Sequence, residues 1–400
     1  MANKTGRGAQ GAGTIREKTV VRNGKEYHFW EARATVGRDP LTGKQIQKSF
    51  SGKTQKEVQQ KLTAALAEID SGDYLQPSKL TLAAWLDEWQ KMIQPKVSLN
   101  TYETYKSRID NHIVPGFGKK VKLADVNRLQ VQKFVDSLIK HGLAPKTVRS
   151  THGVLSKALE DAERMELIKS NPAAKIELPR AKHKEVEALT DEEIQQFFKI
   201  ADTRKYGNLL RFILLTGLRE SEALGLCWDA VDFTANTITV RRQLQKHTGG
   251  YILLNETKSH KPRTIVLSAS AMAILRKLKN QQAEQRFALG DAWEGWKTEA
   301  ERKTYFCFTN ENGRYITSDG LYACLKRIAD KMGKPALTVH DLRHAYATLC
   351  LQNGDDLKTV SANLGHSTIA ITADIYASVS QKMQNASAER MERFVQQFTA

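Results

Sequence analysis

Hydrophobic and polar positions divide this chain into stretches of different period. Between residues 13 and 50 the apolar residues fall in strand-like runs, TIREKTVVR and KEYHFWEARATV. Asn23-Gly24 separates them, and Asn-Gly is the strongest short hairpin signal. A second turn over residues 38–43 leads into KQIQKSF, a third strand. Thr54 and Glu57 then fit a capping box, and Val58, Leu62, Leu66 and Ile69 recur on one helical face. The polar, proline-containing DYLQPSK at 73–79 reads as a linker. From Leu80 to Ala173 the spacing is helical throughout. Trp85, Trp89 and Ile93 mark one helix, and others run from Thr101 to Ile113, Leu129 to Leu138 and Lys146 to Met165. Residues 174–186 lack an apolar stripe and read as a second strap. Thr190 and Glu193 form another capping box, NTITV, GGYILLN and RTIVL are short β segments, and helices fill the remainder.

The pattern predicts a multi-domain, mainly α chain with small β-sheets. Residues 1–72 form a three-stranded sheet plus helix, 80–173 a helical domain and 187–400 a mixed α+β domain. A length of 400 residues with 40% hydrophobic content supports several cores. The 61 Lys and Arg outnumber 44 Asp and Glu, a formal net charge of +17. That excess points to a polyanionic partner, nucleic acid first and an anionic membrane second. No apolar run approaches the roughly 18–20 residues of a membrane span. The first residues carry no hydrophobic stretch of the signal-peptide kind, so a cytoplasmic protein is expected. Cys227, Cys307, Cys324 and Cys350 are scattered without CxxC spacing, as expected of reduced core residues rather than zinc ligands. The first 50 residues hold ten Lys and Arg against four Asp and Glu, a net +6. The N-terminal sheet therefore suits a DNA groove, although Tyr27, Phe29 and Trp30 equally suit packing against its helix.

Four stretches carry candidate chemistry. LLTGLRESEALGLCWDAVDF holds Arg219 and, three residues on, Glu222; NETKSHKPRTIVL presents Lys258 between two β segments. LTVHDLRHAYATL puts His340 and Arg343 on one helix face, and LGHSTIAITADIYASVS holds His366 and Tyr376. Each has an ordinary reading alone: a surface ion pair, a solvated lysine, a helix-start histidine, a core tyrosine. His340 and His344 share the spacing of two zinc ligands, but Asp341 replaces the glutamate of HExxH and Arg343 would crowd a cation, so no metal is expected. Taken in order, Arg219, Lys258, His340, Arg343, His366 and Tyr376 resemble the signature of the tyrosine recombinase (phage integrase) family: Arg, Lys, His-x-x-Arg, His or Trp, then Tyr. The flanking TGLRxSE, HDLRHxxAT and LGHS match as well.

The resemblance spans the whole chain, and is most like integrases of temperate phages and integrative conjugative elements. It implies an arm-type DNA-binding domain at 1–72, a core-binding domain at 80–173 and a catalytic domain at 187–400. Arg219 and Arg343 would clamp the scissile phosphate, His340 and His366 would donate or shuttle protons, Lys258 would be the general acid and Tyr376 the nucleophile. Glu222 would support Arg219. No cofactor is implied. The implied partners are double-stranded DNA at core and arm attachment sites, three further copies in a homo-tetramer, a small excisionase and a host DNA-bending protein, all at a bacterial nucleoid and not at a membrane. Met391, Phe394, Val395 and Phe398 follow the stripe of an amphipathic C-terminal helix, suited to a neighbouring protomer or to the chain's own catalytic domain. Three alternatives remain at this point: resolution of plasmid or chromosome dimers, a catalytically silent DNA-binding regulator, and a metallohydrolase built on His340 and His344. The extra N-terminal domain disfavours the first and the complete set of six positions the second.

Overall fold

The computed structural model describes residues 14–22, 25–38, 45–70, 79–180, 189–255, 261–370, 372–373, 391–392, 394–396 and 398. The chain forms two compact units, residues 1–182 and 183–400.

In the first unit, β1 (Thr14–Arg22), β2 (Lys25–Arg38) and β3 (Gln45–Gly52) make an antiparallel sheet in that order. Ala32 stands opposite both Ile15 and Phe50. Helix α1 (Gln55–Asp70) covers this face, burying Val58 and Leu62 against Ala32 and Ala34. The Thr54 hydroxyl accepts the Glu57 N–H at 3.2 Å, while the Glu57 carboxylate accepts the Lys53 N–H at 3.0 Å, one residue earlier than a capping box places it. The Ile69 side chain lies outside the described residues. Side chains alternate across a strand, so the aromatic run divides. Trp30 joins Ala32 and Ala34 under α1, whereas Tyr27 and Phe29 share the opposite face with Glu31. Glu31 is buried there and accepts from Arg16 at 2.9 Å, with Lys18 and Arg33 within 3.5 and 3.8 Å.

The helical part of this unit comprises α2 (Leu82–Ile93), α3 (Leu99–Arg108), α4 (Val114–Phe117), α5 (Arg128–Lys140) and α6 (Pro145–Arg164). The helix expected to run unbroken to Ile113 instead widens into a π turn at Ile109–Ile113, which tucks Ile109 and Ile113 inward. Trp85 and Trp89 are fully buried, and each finds an acceptor for its indole N–H: Ala158 O at 2.9 Å and Asp161 Oδ2 at 2.7 Å.

The second unit contains α7 (Asp191–Ala201), α8 (Gly207–Thr216), α9 (Glu220–Leu224), β4 (Val231–Asp232), β5 (Thr237–Val240), β6 (Gln243–His247), β7 (Gly250–Leu254) and β8 (Arg263–Val266). It continues with α10 (Ala269–Leu289), α11 (Glu299–Thr304), α12 (Ser318–Lys331), α13 (Val339–Gln352) and α14 (Leu357–Leu364). Strands β4, β5 and β8 form one antiparallel sheet, and β6 pairs with β7 in a separate hairpin. Strand β6 escapes the sequence pattern because RRQLQKH carries almost no apolar signal. Helix α8 is hydrophobic on nearly every side, burying Leu209, Leu210, Phe212, Ile213 and Leu214, as a central helix must. It packs against α7, α10, α12 and α13. The Cys227, Cys307 and Cys324 thiols are free and buried, and Cys350 is free and half-buried. Among the described residues no helix is long and apolar enough to cross a membrane. Met391, Phe394, Val395 and Phe398 are all exposed, with the Phe394 and Phe398 rings edge-to-face at 4.9 Å.

Candidate active site

The site is assembled where helices end. Helix α8 terminates at Gly217, which takes a left-handed conformation (φ 65°) and caps the helix by donating its N–H to Ile213 O at 2.9 Å. A side chain is excluded there twice over, because a Cβ would lie 2.3 Å from Tyr346 Cδ1. Helix α14, started by the Asp356 carboxylate accepting the Lys358 and Thr359 N–H groups, ends in the same way at Gly365 (φ 64°). Helix C-termini leave carbonyls without intrahelical donors and carry the negative end of the helix dipole. Two guanidiniums use them. Arg343 donates from Nη1 to Gly217 O and from Nη2 to Leu364 O, both at 2.6 Å. Arg219 donates from Nη2 to Gly365 O at 2.9 Å.

Arg219 itself precedes α9, and Glu222 on the first turn of that helix faces back. Its carboxylate accepts the Arg219 N–H at 3.0 Å and Arg219 Nη1 at 2.8 Å. It also accepts both ends of the Arg263 fork, at 3.0 and 2.6 Å, while Arg263 Nε donates to Asn363 O at 2.7 Å. Glu222 is buried, so burial pushes its pKa up, but the bonds and charges of Arg263, and then of Arg219, outweigh this and leave it below the usual value. Arg219 and Arg343 each commit two of a guanidinium's five N–H donors to these bonds.

The histidines line the same region. The Thr338 hydroxyl accepts the Asp341 N–H at 3.3 Å and the Asp341 carboxylate accepts the Thr338 N–H at 2.8 Å, a capping box that starts α13. Asp341, read in sequence beside the zinc-ligand spacing, is thus a helix cap. His340 stands exposed on the first turn, Arg343 is buried one turn on, and the His340 and His344 rings meet edge-to-face at 4.6 Å. His366 follows Gly365. Its N–H donates to Ser361 O at 3.1 Å, and its Nδ1 lies 2.8 Å from the Thr372 hydroxyl. Loss of hydration, then the cations of Arg343 and Arg219, pulls the His366 pKa down to about 4. Burial lowers His344, and on the exposed His340 the protein packed around one side of the ring, then His344 and Arg343, act in the same direction. Burial and then repulsion from Arg219 bring Arg343 down to about 9, so it remains a cation at neutral pH while the imidazoles are neutral.

The structure thus gathers Arg219, Glu222, His340, Arg343 and His366 into one region. Lys258 and Tyr376 lie outside the described residues. Sequence reading missed Arg263, which stands among other cations in KSHKPR with nothing local to distinguish it. It also missed Thr372, whose place four residues before Tyr376 was the available signal.

The phage integrase family model matches residues 187–383, and the model for its N-terminal SAM-like domain matches residues 81–139. A protein of Caldanaerobacter subterraneus subsp. tengcongensis described as tyrosine recombinase XerC-like is 31% identical over 399 residues, covering 94% of this chain and 98% of the relative. The chain belongs to the phage integrase family. It is a tyrosine-type site-specific DNA recombinase. Among solved structures, the recombinase resembles the Tn1549 transposon integrase in complex with transposon right end DNA. There the TM-score is 0.64 at 22% identity, covering 78% of this chain and 100% of the other. It also resembles a lambda integrase tetramer bound to a Holliday junction, with a TM-score of 0.53 at 19% identity over 89% of this chain and 94% of the other. These likenesses establish the fold.

Proposed function

We propose that this recombinase integrates and excises a mobile element, cutting and rejoining DNA through a 3′-phosphotyrosine. One observation carries the reading: among the described residues the buried carboxylate of Glu222 accepts from Arg219 and Arg263 and also acts on the charge of Arg343, beside neutral imidazoles. Such a pocket holds uncompensated positive charge and suits a phosphodiester. When a nucleophile attacks phosphorus, negative charge gathers on the non-bridging oxygens, and forked guanidinium donors stabilise it. Arg219 and Arg343 keep N–H groups for this task beyond those that anchor them. His340 and His366 add donors or move the tyrosine proton.

Tyr376 supplies the phenolic oxygen. Its ordinary pKa of about 10 makes a cationic pocket necessary for attack at neutral pH. The new bond joins tyrosine to the 3′ phosphate, the bond to the 5′ oxygen breaks, and that oxygen takes a proton from Lys258. A second strand's 5′-hydroxyl reverses the step without an external energy source, because the phosphodiester's energy is retained in the phosphotyrosine.

In this reading residues 1–72 bind arm sites, 73–79 and 174–186 are linkers, 80–173 bind core sites, and 187–400 carry catalysis. The exposed stripe of Met391, Phe394, Val395 and Phe398 supports docking on a neighbouring protomer, so four copies exchange strands in pairs. A small excisionase and a host DNA-bending protein complete the excision complex, at the bacterial nucleoid. The XerC-like relative favours a second reading, resolution of DNA dimers by the same chemistry. The sheet-bearing N-terminal segment favours the first.

The test uses a suicide DNA, nicked near the scissile phosphate and bearing the element's attachment site, with EDTA present. Wild type is expected to form a covalent protein–DNA adduct on a denaturing gel, and Tyr376→Phe to bind the DNA without forming one. An adduct with Tyr376→Phe would refute the assignment of the nucleophile. Capture of attachment-site DNA in preference to dimer-resolution sites separates the two biological readings.

A further inference from the structure

The hydroxyl of Thr372 lies 2.8 Å from Nδ1 of His366, and Thr372 is completely buried. A buried hydroxyl requires a partner, and this one has an imidazole nitrogen. Its segment is held locally as well, since the Thr372 N–H donates to Ile369 O at 2.9 Å. His366 is anchored from the other side by its own N–H on Ser361 O. The ring is therefore fixed at the backbone and at Nδ1.

A neutral imidazole carries one N–H and one acceptor nitrogen, and the partner of one nitrogen decides the state of the other. A hydroxyl can meet Nδ1 as donor or as acceptor, but a buried O–H proton needs an acceptor, and Nδ1 is the partner of this hydroxyl among the described residues. The hydroxyl then donates and the ring proton lies on Nε2. We propose that Thr372 is a positioning residue that holds His366 in the Nε2–H form, so that the ring presents a donor to the scissile phosphate. The inference deepens the reading of His366 as a phosphate donor and rests on it. Among the described residues, the charged and titratable groups acting on the ring are Arg343, His340 and His344 from α13 and Arg219 before α9. Together with burial they keep it neutral at the pH of the cell. Tautomer matters only in that condition, because a protonated ring would donate from both nitrogens whatever Thr372 did.

The experiment measures single-turnover adduct formation on the suicide DNA by the full-length protein. Thr372→Val keeps the shape and removes the hydroxyl. It is expected to slow adduct formation about tenfold, the equivalent of one ordinary hydrogen bond, with DNA affinity unchanged. Thr372→Ser should restore the rate to within about twofold, since it restores the bond. His366→Trp provides the decisive background, because an indole N–H is a permanent donor without tautomers. There Thr372→Val should have no further effect. Nitrogen NMR of histidine-labelled protein should show Nδ1 as the unprotonated nitrogen of His366 in wild type and a mixture of tautomers in Thr372→Val. An unchanged rate in Thr372→Val overturns the proposal, and so does an equal loss in the His366→Trp background, which would make Thr372 merely structural. If His366→Ala itself cleaves as wild type, the underlying reading of His366 fails instead.

Discussion

Replacing Glu222 by Gln removes one charge and almost no volume. The carboxylate is 1% exposed, and its two oxygens accept four donors from Arg219 and Arg263. At about 3 Å and an effective dielectric near 20, each ion pair is worth roughly 5 kcal/mol gross. Desolvating the three ions offsets most of that. The balance fails when only the anion is neutralised, because two cations then face each other across an amide that offers donors as well as an acceptor. Removing one partner of a buried pair costs about 3–5 kcal/mol. Arg219, whose side chain is 23% exposed, can turn towards water, so the lower end applies, about 3 kcal/mol. For a unit of this size that corresponds to about 6–12 °C in melting temperature, measurable by calorimetry. Cleavage should fall roughly a hundredfold, because Arg219 would keep its Gly365 anchor but lose its charged one, with Arg263 competing for the single amide oxygen. The folded pKa of Glu222 lies below 4.5, so its contribution is complete above that pH and is lost as pH falls through the folded value. The stability gap between wild type and Glu222→Gln should therefore close in acid. A variant melting within about 2 °C of wild type and cleaving at the same rate would refute the reasoning.

Gly217→Ala meets both a left-handed backbone and a Cβ position 2.3 Å from Tyr346 Cδ1 and 2.8 Å from Leu364 Cδ2. A loss of about 3 kcal/mol in urea unfolding is expected, and an unchanged midpoint would show that Tyr346 yields without cost. In the DNA-free protein, the His366 pKa is about 4 against an ordinary 6.5, so the folded state binds fewer protons than the unfolded one. Stability is then present in full above pH 6.5 and declines towards pH 4, by about 2 kcal/mol at pH 5 from this residue. His366→Asn should lessen the decline between pH 7 and 5, and equal declines in both proteins would contradict the assignment.

What was legible in the sequence was what is local. Arg219 beside TGL, His340 and Arg343 one turn apart, and His366 after a glycine are each fixed by a few neighbouring residues, and so is the helix cap at Thr190. Arg263 was not legible, because its partners Glu222 and Asn363 lie 41 and 100 positions away. Nothing in KPRTIVL distinguishes a half-buried arginine that pairs with Glu222 from the exposed lysine two residues before it. The aromatic run at Tyr27, Phe29 and Trp30 could not be divided without knowing which face α1 covers. Strand β6 is held by pairing with β7 and not by its own polar sequence. The π turn at Ile109 reflects core packing of Ile109 and Ile113, which helical periodicity alone does not encode.

The two anchored arginines also explain why this site is built from the ends of helices. Arg343 spans the carbonyls that terminate α8 and α14, a bridge that a planar fork can make and the point charge of a lysine cannot. The bridge makes the position of Arg343 a consequence of folding, since the guanidinium cannot move without exposing two carbonyls. Helix dipoles and charge-assisted hydrogen bonds stabilise the cation by a few kcal/mol, against a burial penalty visible in its lowered pKa. The compensation is incomplete among the described residues, where Glu222 is the carboxylate paired with Arg219 and Arg263 and Arg343 rests on backbone carbonyls. These groups therefore create a positive potential, and His366 answers it by remaining neutral. In the proposed reading an arriving phosphodiester, with one negative charge, offsets part of that potential. In that reading it meets the guanidinium donors that do not serve as anchors, while the neutral His366 ring offers its Nε2–H.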